Sequence, residues 1–466
     1  MIFDMTTAPI EKDRQRVTPS DEPQRSSQGV REPSKPGFRP AMVEHYRVAK
    51  TAATRRLTDA LVKKARSATQ RRLARGTVRT LWASTPILTL PLLARCDRLL
   101  GFRSSSLVFN TYYVTRSFDL NLILFEGALR LTRSRPSLAL FRWLVFAWAL
   151  LRFDVFNYFY DRGLLLSDQR YGINPDELDL LSRSGKRLYT YAYGADVRSR
   201  ELTLALGTPN LCQECPQPGR FCVCTTEMLD SSLKRLAGRA TAQIAMGDMT
   251  AYVPGCRDIH YWPLDTTKFI ANPPTFRLGE TLRIAHAPNH SHFKGTGHLL
   301  QAIDRLIAEG EKIELVSIQG VSNKRVLELF STCHLVADQF VAGFHGYTAL
   351  EAMAMSRPVL CYLRDDHMMI DPTTCPIIRT SPDEIYGTLR NCLHGTIDLE
   401  AIGRSGRRYV ERYYSIEAVA ARLGRLYLET ANFPGELNAR LAKRIDTLVN
   451  EHHVLQGCSK PPVGSP

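Results

Sequence analysis

From Thr77 onward the chain alternates between short apolar runs and longer amphipathic ones. Val78–Ala83, Ser106–Asn110, Asp154–Tyr158, Arg187–Tyr191 and Gln243–Met246 read as strands. Asn121–Leu131, Leu138–Leu151 and Pro175–Ser184 between them carry a helical period. Strands separated by helices predict a parallel sheet covered on both faces. A second alternating block begins at Leu282 with LRIAHAP, the loop NHSHFKGTG and the helix HLLQAIDRLIAEG. IELVSIQ, a helix around Asn323–Ser331, HLVADQF, a glycine turn with its helix, and PVLCYL follow. This tight βαβαβαβ order predicts a doubly wound sheet. Val253–Leu278, with four prolines, reads as a linker between the blocks. Two such domains face each other across a cleft, with ligands at the carboxyl ends of the strands. Helices are expected over SIEAVAARLGRLYLE after Ser415 and over Glu436–Val449.

The ends differ in composition. Residues 1 to about 40 are rich in Pro, Ser, Arg and Gln and are expected to be a disordered tail, as is Gln456–Pro466. About 41–75 reads as a basic helix. The expected division is 1–76 for tail and basic helix, 77–262 for the first α/β domain, 263–430 for the second, and 431–466 for a last helix and tail. A net charge of +15 favours anionic partners. No RNP, zinc-finger or helix-turn-helix signature is present, so nucleic acid is not an expected partner. The N-terminus lacks an apolar signal region, and the most apolar run, Trp143–Leu151, is too short to span a bilayer. Eleven cysteines, odd in number and mostly scattered, point to a reducing, cytoplasmic compartment. The basic helix and the surface around Arg142–Arg152 suggest peripheral contact with the inner face of a membrane.

The segment VAGFHGYTALEAMAMSRPVL, Val341–Leu360, carries the most chemistry. Gly343, Phe344, His345 and Gly346 form a turn that opens a short apolar helix with a single acid, Glu351. Backbone N–H groups at a helix start attract phosphate, and glycine lets the backbone approach it closely. His345 is a candidate donor to a phosphate oxygen, and Glu351 a candidate acceptor for ribose hydroxyls. An acid on an otherwise apolar helix needs a partner if it is buried. Lys294 and Gly295, between a strand–loop and a helix, can bring a point charge to a diphosphate. His286, His290, His292 and His298 read as polar residues on the phosphate side.

The pieces IAHAPNHSHFKGTGHLLQAIDRL, LVADQFVAGFHGYTALEAMAMSRPVL and the helix after ERYYSIEAVAARL resemble the donor half of GT-B glycosyltransferases, especially the family-4 type. TLWASTPIL, FDVFNYFY and LYTYAYGADVR are more loosely similar to the other half, so the resemblance spans most of residues 77–430. It implies a GT-B fold of two Rossmann-like domains facing a cleft. The implied activity is transfer of a sugar from a nucleotide sugar, with retention, to a carbohydrate or lipid-linked acceptor. It implies that Lys294 contacts donor phosphate and Glu351 the donor ribose. Alternatives within the fold are a nucleotide-sugar epimerase and a catalytically degenerate binding protein.

Two positions depart from the pattern. The family commonly has an acid eight residues before the ribose glutamate, where this chain has Gly343. It commonly has an arginine five residues before the lysine, where this chain has Asn289. Asp338 and Gln339 are candidates to replace the acid, and His290 or His292 the arginine. Leaving-group charge met by a lysine and a helix N-terminus requires no catalytic metal. On the acceptor side Asp196, in GADVR at a strand end, is the candidate general base, with capping of the next helix as its structural alternative. Arg198 is a candidate for steering an anionic acceptor.

Cys212, Cys215, Cys222 and Cys224 lie within thirteen residues as CxxC-x6-CxC. Four thiolates at that density predict one tetrahedral structural site, for zinc before an iron–sulfur cluster. It would order a loop inserted after GADVR.

Overall fold

The computed structural model describes residues 52–111, 117–132 and 134–452. Expectations for the tail (1–40), for the start of the basic helix and for Gln456–Pro466 fall outside the described residues. All contacts below lie within residues 56–452.

The first sheet has seven parallel strands: β1 (Arg79–Ser84), β2 (Arg103–Val108), β3 (Leu120–Asn121), β4 (Val155–Phe159), β5 (Arg187–Tyr191), β6 (Ala242–Ala245) and β7 (Arg257–Asp258), in the order β3-β2-β1-β4-β5-β6-β7. β4 is buried at every position, as a strand covered on both faces should be. The second sheet has five parallel strands: β8 (Leu282–His286), β9 (Ile313–Ser317), β10 (Leu335–Ala337), β11 (Val359–Cys361) and β12 (Ile378–Arg379), in the order β12-β11-β10-β8-β9. Each is a Rossmann-like α/β domain, and together they form the two-domain arrangement that the GT-B resemblance implies.

Strand order locates the crevices. In the second sheet the chain moves from β8 outward to β9, then crosses to β10 on the other side of β8. Helices on either side of this switch leave a gap above the carboxyl ends of β8 and β10. In the first sheet the equivalent gap lies between β1 and β4.

The structure adds two details. The proline-rich segment read as a linker contributes β7, which pairs with β6 through Ile244–Arg257 and Ala245–Asp258. The helix Ile416–Thr430 packs in the core of the first domain, together with Leu437, Leu441, Ile445 and Leu448 of the last helix. Tyr427 donates its hydroxyl to the buried Asp97 at 3.1 Å, and Asp97 also accepts from Thr80 and Trp82 of β1 at 2.5 and 2.8 Å. The chain therefore crosses back at Ser415, where Leu264 bridges to it in parallel.

The basic helix is described over Ala52–Ala74, and its packing accounts for part of its charge. Arg72 forms an ion pair with the fully buried Asp154 at 2.7 Å, and Thr69 accepts from Lys186 at 2.6 Å. Among the described residues no helix is long and apolar enough to cross a membrane.

Candidate functional site

The second-sheet crevice gathers residues from three strand ends. β8 ends at His286, whose ring bonds Ala337 O at 2.9 Å and Thr296 Oγ1 at 2.8 Å, tying β10 to the helix Thr296–Ala308. One short helical turn, Ser291–Lys294, follows the β8 loop and stops at Gly295, whose φ of +67° is left-handed. A side chain there would also meet Phe340 Cβ at 3.0 Å, so glycine is required twice over. Lys294 is thereby aimed at the end of β10. Its Nζ donates to Asp338 Oδ1 at 2.8 Å and to Gln339 Oε1 at 2.9 Å. Those bonds use two of three ammonium donors and leave one for a ligand.

Asp338 holds the next element as well. Its second oxygen accepts the Gly346 N–H at 2.5 Å, at the head of the helix Tyr347–Ala354. A Cβ on Gly346 would lie 2.9 Å from Lys294 Nζ and 3.0 Å from Asp338 Oδ1. The ammonium therefore rests against the bare backbone of a helix start, where positive partial charge and lysine charge add. Gln339 also donates to Phe344 O, locking the turn to the same cluster.

Glu351 lies further along that helix, 6% exposed. Its Oε1 accepts from Asn323 Nδ2 at 2.8 Å, across from the start of the helix Asn323–Phe330. Burial pushes its pKa up to about 7, with the Asn323 bond opposing that rise. An acid whose folded pKa is raised contributes full stability below its unfolded pKa and loses it as pH climbs through the folded one. Between about pH 5 and 8 the parent protein should lose stability that Glu351→Gln keeps, a gap on the order of 3 kcal/mol at pH 8. Denaturant melts of both at the two pH values measure it, and parallel pH profiles would contradict it.

Gly343 has φ +83°, and a Cβ on it would meet the Arg364 guanidinium carbon at 2.7 Å. His345 is 1% exposed and faces inward, its Nε2 3.2 Å from the Tyr414 hydroxyl and its ring 4.2 Å from that of Phe344. Burial lowers its pKa to about 4, so at neutral pH it is an uncharged core group. Asp196 is buried too, and accepts the N–H groups of Tyr160, Tyr193 and Gly194 at 3.1, 3.0 and 2.9 Å. Burial, then the neighbouring Asp161, raises its pKa to about 8. Both its oxygens thus fasten the loop after β5 to the end of β4.

The metal expectation is overturned. Among the described residues no group of three or more His, Cys, Asp or Glu is placed to hold an ion, so neither zinc nor an iron–sulfur cluster is held by Cys212, Cys215, Cys222 and Cys224. All four are free thiols. Cys224 Sγ accepts the Gly219 N–H at 3.1 Å, and burial pushes the Cys222 thiol up to about 12. The loop is ordered by hydrogen bonds instead. Asn210 accepts from the N–H groups of Cys212 and Gln213, and Val223 and Cys224 pair with Ala195 and Arg198.

This loop reaches the second domain. Phe221 packs on His290 and Phe293 at 5.3 and 5.4 Å, Glu214 pairs with His298 at 3.3 Å, and Pro209 O accepts from Arg364 at 3.0 Å. Asn323, Arg364 and Asp161 escaped the sequence reading. Each follows a strand of unremarkable composition, and only strand order brings it near a crevice. Asp161 follows β4, accepting from Thr85 at 2.6 Å and pairing with Arg162 at 2.7 Å.

No family model matches this chain, and no curated protein matches it. Among solved structures it is similar to HepE from Anabaena in complex with UDP and glucose, at 12% identity over 75% of this chain and 99% of that one, with a TM-score of 0.46. Sucrose-phosphate synthase from Thermosynechococcus elongatus is similar at 11% identity over 76% and 98%, with a TM-score of 0.48. A glycosyltransferase from Rickettsia africae is similar at 11% over 77% and 100%, with a TM-score of 0.44. Identities this low say nothing of the ligand.

Proposed function

We propose that the protein is a glycosyltransferase that moves a sugar from a nucleotide sugar to a carbohydrate or lipid-linked acceptor, with retention. The observation that carries this reading is the cluster Lys294–Asp338–Gly346 at the switch of the second sheet, with Glu351 further along the same helix. A diphosphate is met there by a lysine and a helix start, and a ribose by a buried carboxylate.

In the reaction the sugar–phosphate C–O bond breaks and its electron pair leaves on the diphosphate. Lys294 and the N–H groups heading the helix Tyr347–Ala354 stabilise that charge, which develops most fully in the transition state. The acceptor hydroxyl forms the new glycosidic bond, and its proton passes to a carboxylate of the facing domain. Asp161, at the first-sheet switch, is the group we assign to that step. Asp196 is a positioning residue, holding the loop after β5.

The test is release of nucleoside diphosphate from UDP-, GDP- and ADP-hexoses, and of CMP from CMP sugars, with and without an oligosaccharide or polyprenyl-phosphate-sugar acceptor panel. Release that requires acceptor supports transfer. Epimerisation of the free donor, or binding without turnover on any acceptor, would overturn it.

A further inference from the structure

The acid-free turn at Gly343 is filled from elsewhere. A Cβ built on Gly343 would lie 2.7 Å from Cζ and 2.8 Å from Nη1 of Arg364, so the guanidinium occupies the volume a side chain at 343 would take. Arg364 follows β11, and its N–H donates to Gly343 O at 2.9 Å, which fixes the base of the side chain. Nη2 is spent on Pro209 O, while Nε and Nη1 are buried without a hydrogen-bond partner.

The facing domain repeats the device. Arg198 lies on Gly194, at φ +121°, where an added Cβ would meet its Nη1. Its Nη2 pairs with Asp248 at 2.5 Å, and its Nε is buried and unpartnered. The two arginines lie near one another, on either side of one helical turn and its neighbour. Asp248 and Tyr252 belong to the helical turn Gly247–Tyr252, which abuts the turn Asp366–Met368 just after Arg364. Both guanidinium charges act on the Tyr252 hydroxyl. A Cβ on Gly247 would lie 2.7 Å from the Phe344 ring, so this helical turn packs closely on the glycine turn.

Arg198 is thus paired with Asp248, whereas Arg364 has no carboxylate partner among the described residues, which leaves a single positive charge and three guanidinium nitrogens without a hydrogen-bond partner. Orphaned charged donors in a protein interior mark a missing partner. A planar guanidinium suits a carboxylate, which can accept from Nε and a terminal nitrogen together.

Resting on the donor reading above, we infer that the transferred sugar is acidic: Arg364 and Arg198 receive a carboxylate on the sugar of the nucleotide donor, as in a nucleoside diphosphate hexuronate. The location supports the sugar as its carrier, since Gly343 stands three residues before the helix start that takes the diphosphate, on the side of the facing domain.

The experiment is calorimetry of the full chain with pairs of nucleoside diphosphate sugars that differ only at C6, UDP-glucose against UDP-glucuronate and the GDP-mannose pair likewise. The uronate should bind at least tenfold more tightly, Arg364→Gln should collapse that ratio, and Arg364→Lys should restore part of it. Equal affinities for the two sugars, or a preference that survives Arg364→Gln, would overturn the inference while leaving the donor reading intact. Should the altered chains fail to fold, the comparison on the unaltered protein decides. If no nucleotide sugar binds at all, the donor reading fails and this inference with it.

Discussion

Glu351→Ala should lower kcat/KM for the nucleotide sugar by about 100-fold while leaving the protein at least as stable above pH 7. Two ribose hydroxyls donating to one carboxylate form charge-assisted bonds, and losing both costs about 3 kcal/mol of binding, which is roughly two powers of ten. The stability half of the prediction comes from burial. The carboxyl is 6% exposed with one protein donor, Asn323, and its pKa stands near 7. Its ionised form is therefore a cost to the empty protein, and alanine removes it in a helix where alanine is the most favourable residue. Steady-state kinetics with a thermal melt at pH 8 separate the two effects. A variant that loses turnover and stability together would mean that Glu351 is a structural acid only.

Lys294→Met should do the opposite to stability and the same to turnover. Asp338 is fully buried, and among the described residues the lysine is its one ion-pair partner. Removing one member of a buried pair leaves an uncompensated charge, which costs about 3 kcal/mol. The Gly346 N–H remains on Asp338, so the helix start should hold. Adding Asp338→Asn to Lys294→Met should recover most of the stability, because no buried charge is then unpaired. It should recover none of the turnover, because the diphosphate still lacks its cation. Denaturant melts and donor kinetics on the two variants read this directly; recovery of both properties together would place Lys294 outside the chemistry.

These residues differ in how far the sequence could announce them. The strands were legible because parallel strands buried on both faces are apolar throughout, and β5 falls on Arg187–Tyr191 as read. Lys294 and Glu351 were legible as types set in telling neighbourhoods, a lysine before a glycine and an acid inside ALEAMA. Their partners were less so. Asn323 opens the helix after β9 and Arg364 lies in the loop after β11, each ordinary until tertiary packing sets Asn323 on Glu351 and Arg364 on Gly343. Asp196 illustrates the limit of a strand-end rule, since its direction depends on three backbone N–H groups from two loops. The cysteines fail for a related reason. Their density was visible in sequence, but a metal needs thiolates that converge, and here Asn210 and the pairing of Val223–Cys224 set the path of the loop. The return of Ile416–Thr430 to the first core is likewise tertiary, fixed by Tyr427 on Asp97.

The claim at the centre is that the carboxyl edge of β8 and β10 binds a nucleotide sugar through Lys294 and Glu351. Titration calorimetry of the full chain against UDP, GDP, ADP and CMP sugars tests it most directly. One nucleotide should bind with a stoichiometry of about one, and Glu351→Ala should weaken it about 100-fold. Binding of none of them, or binding that Glu351→Ala leaves unchanged, would contradict it.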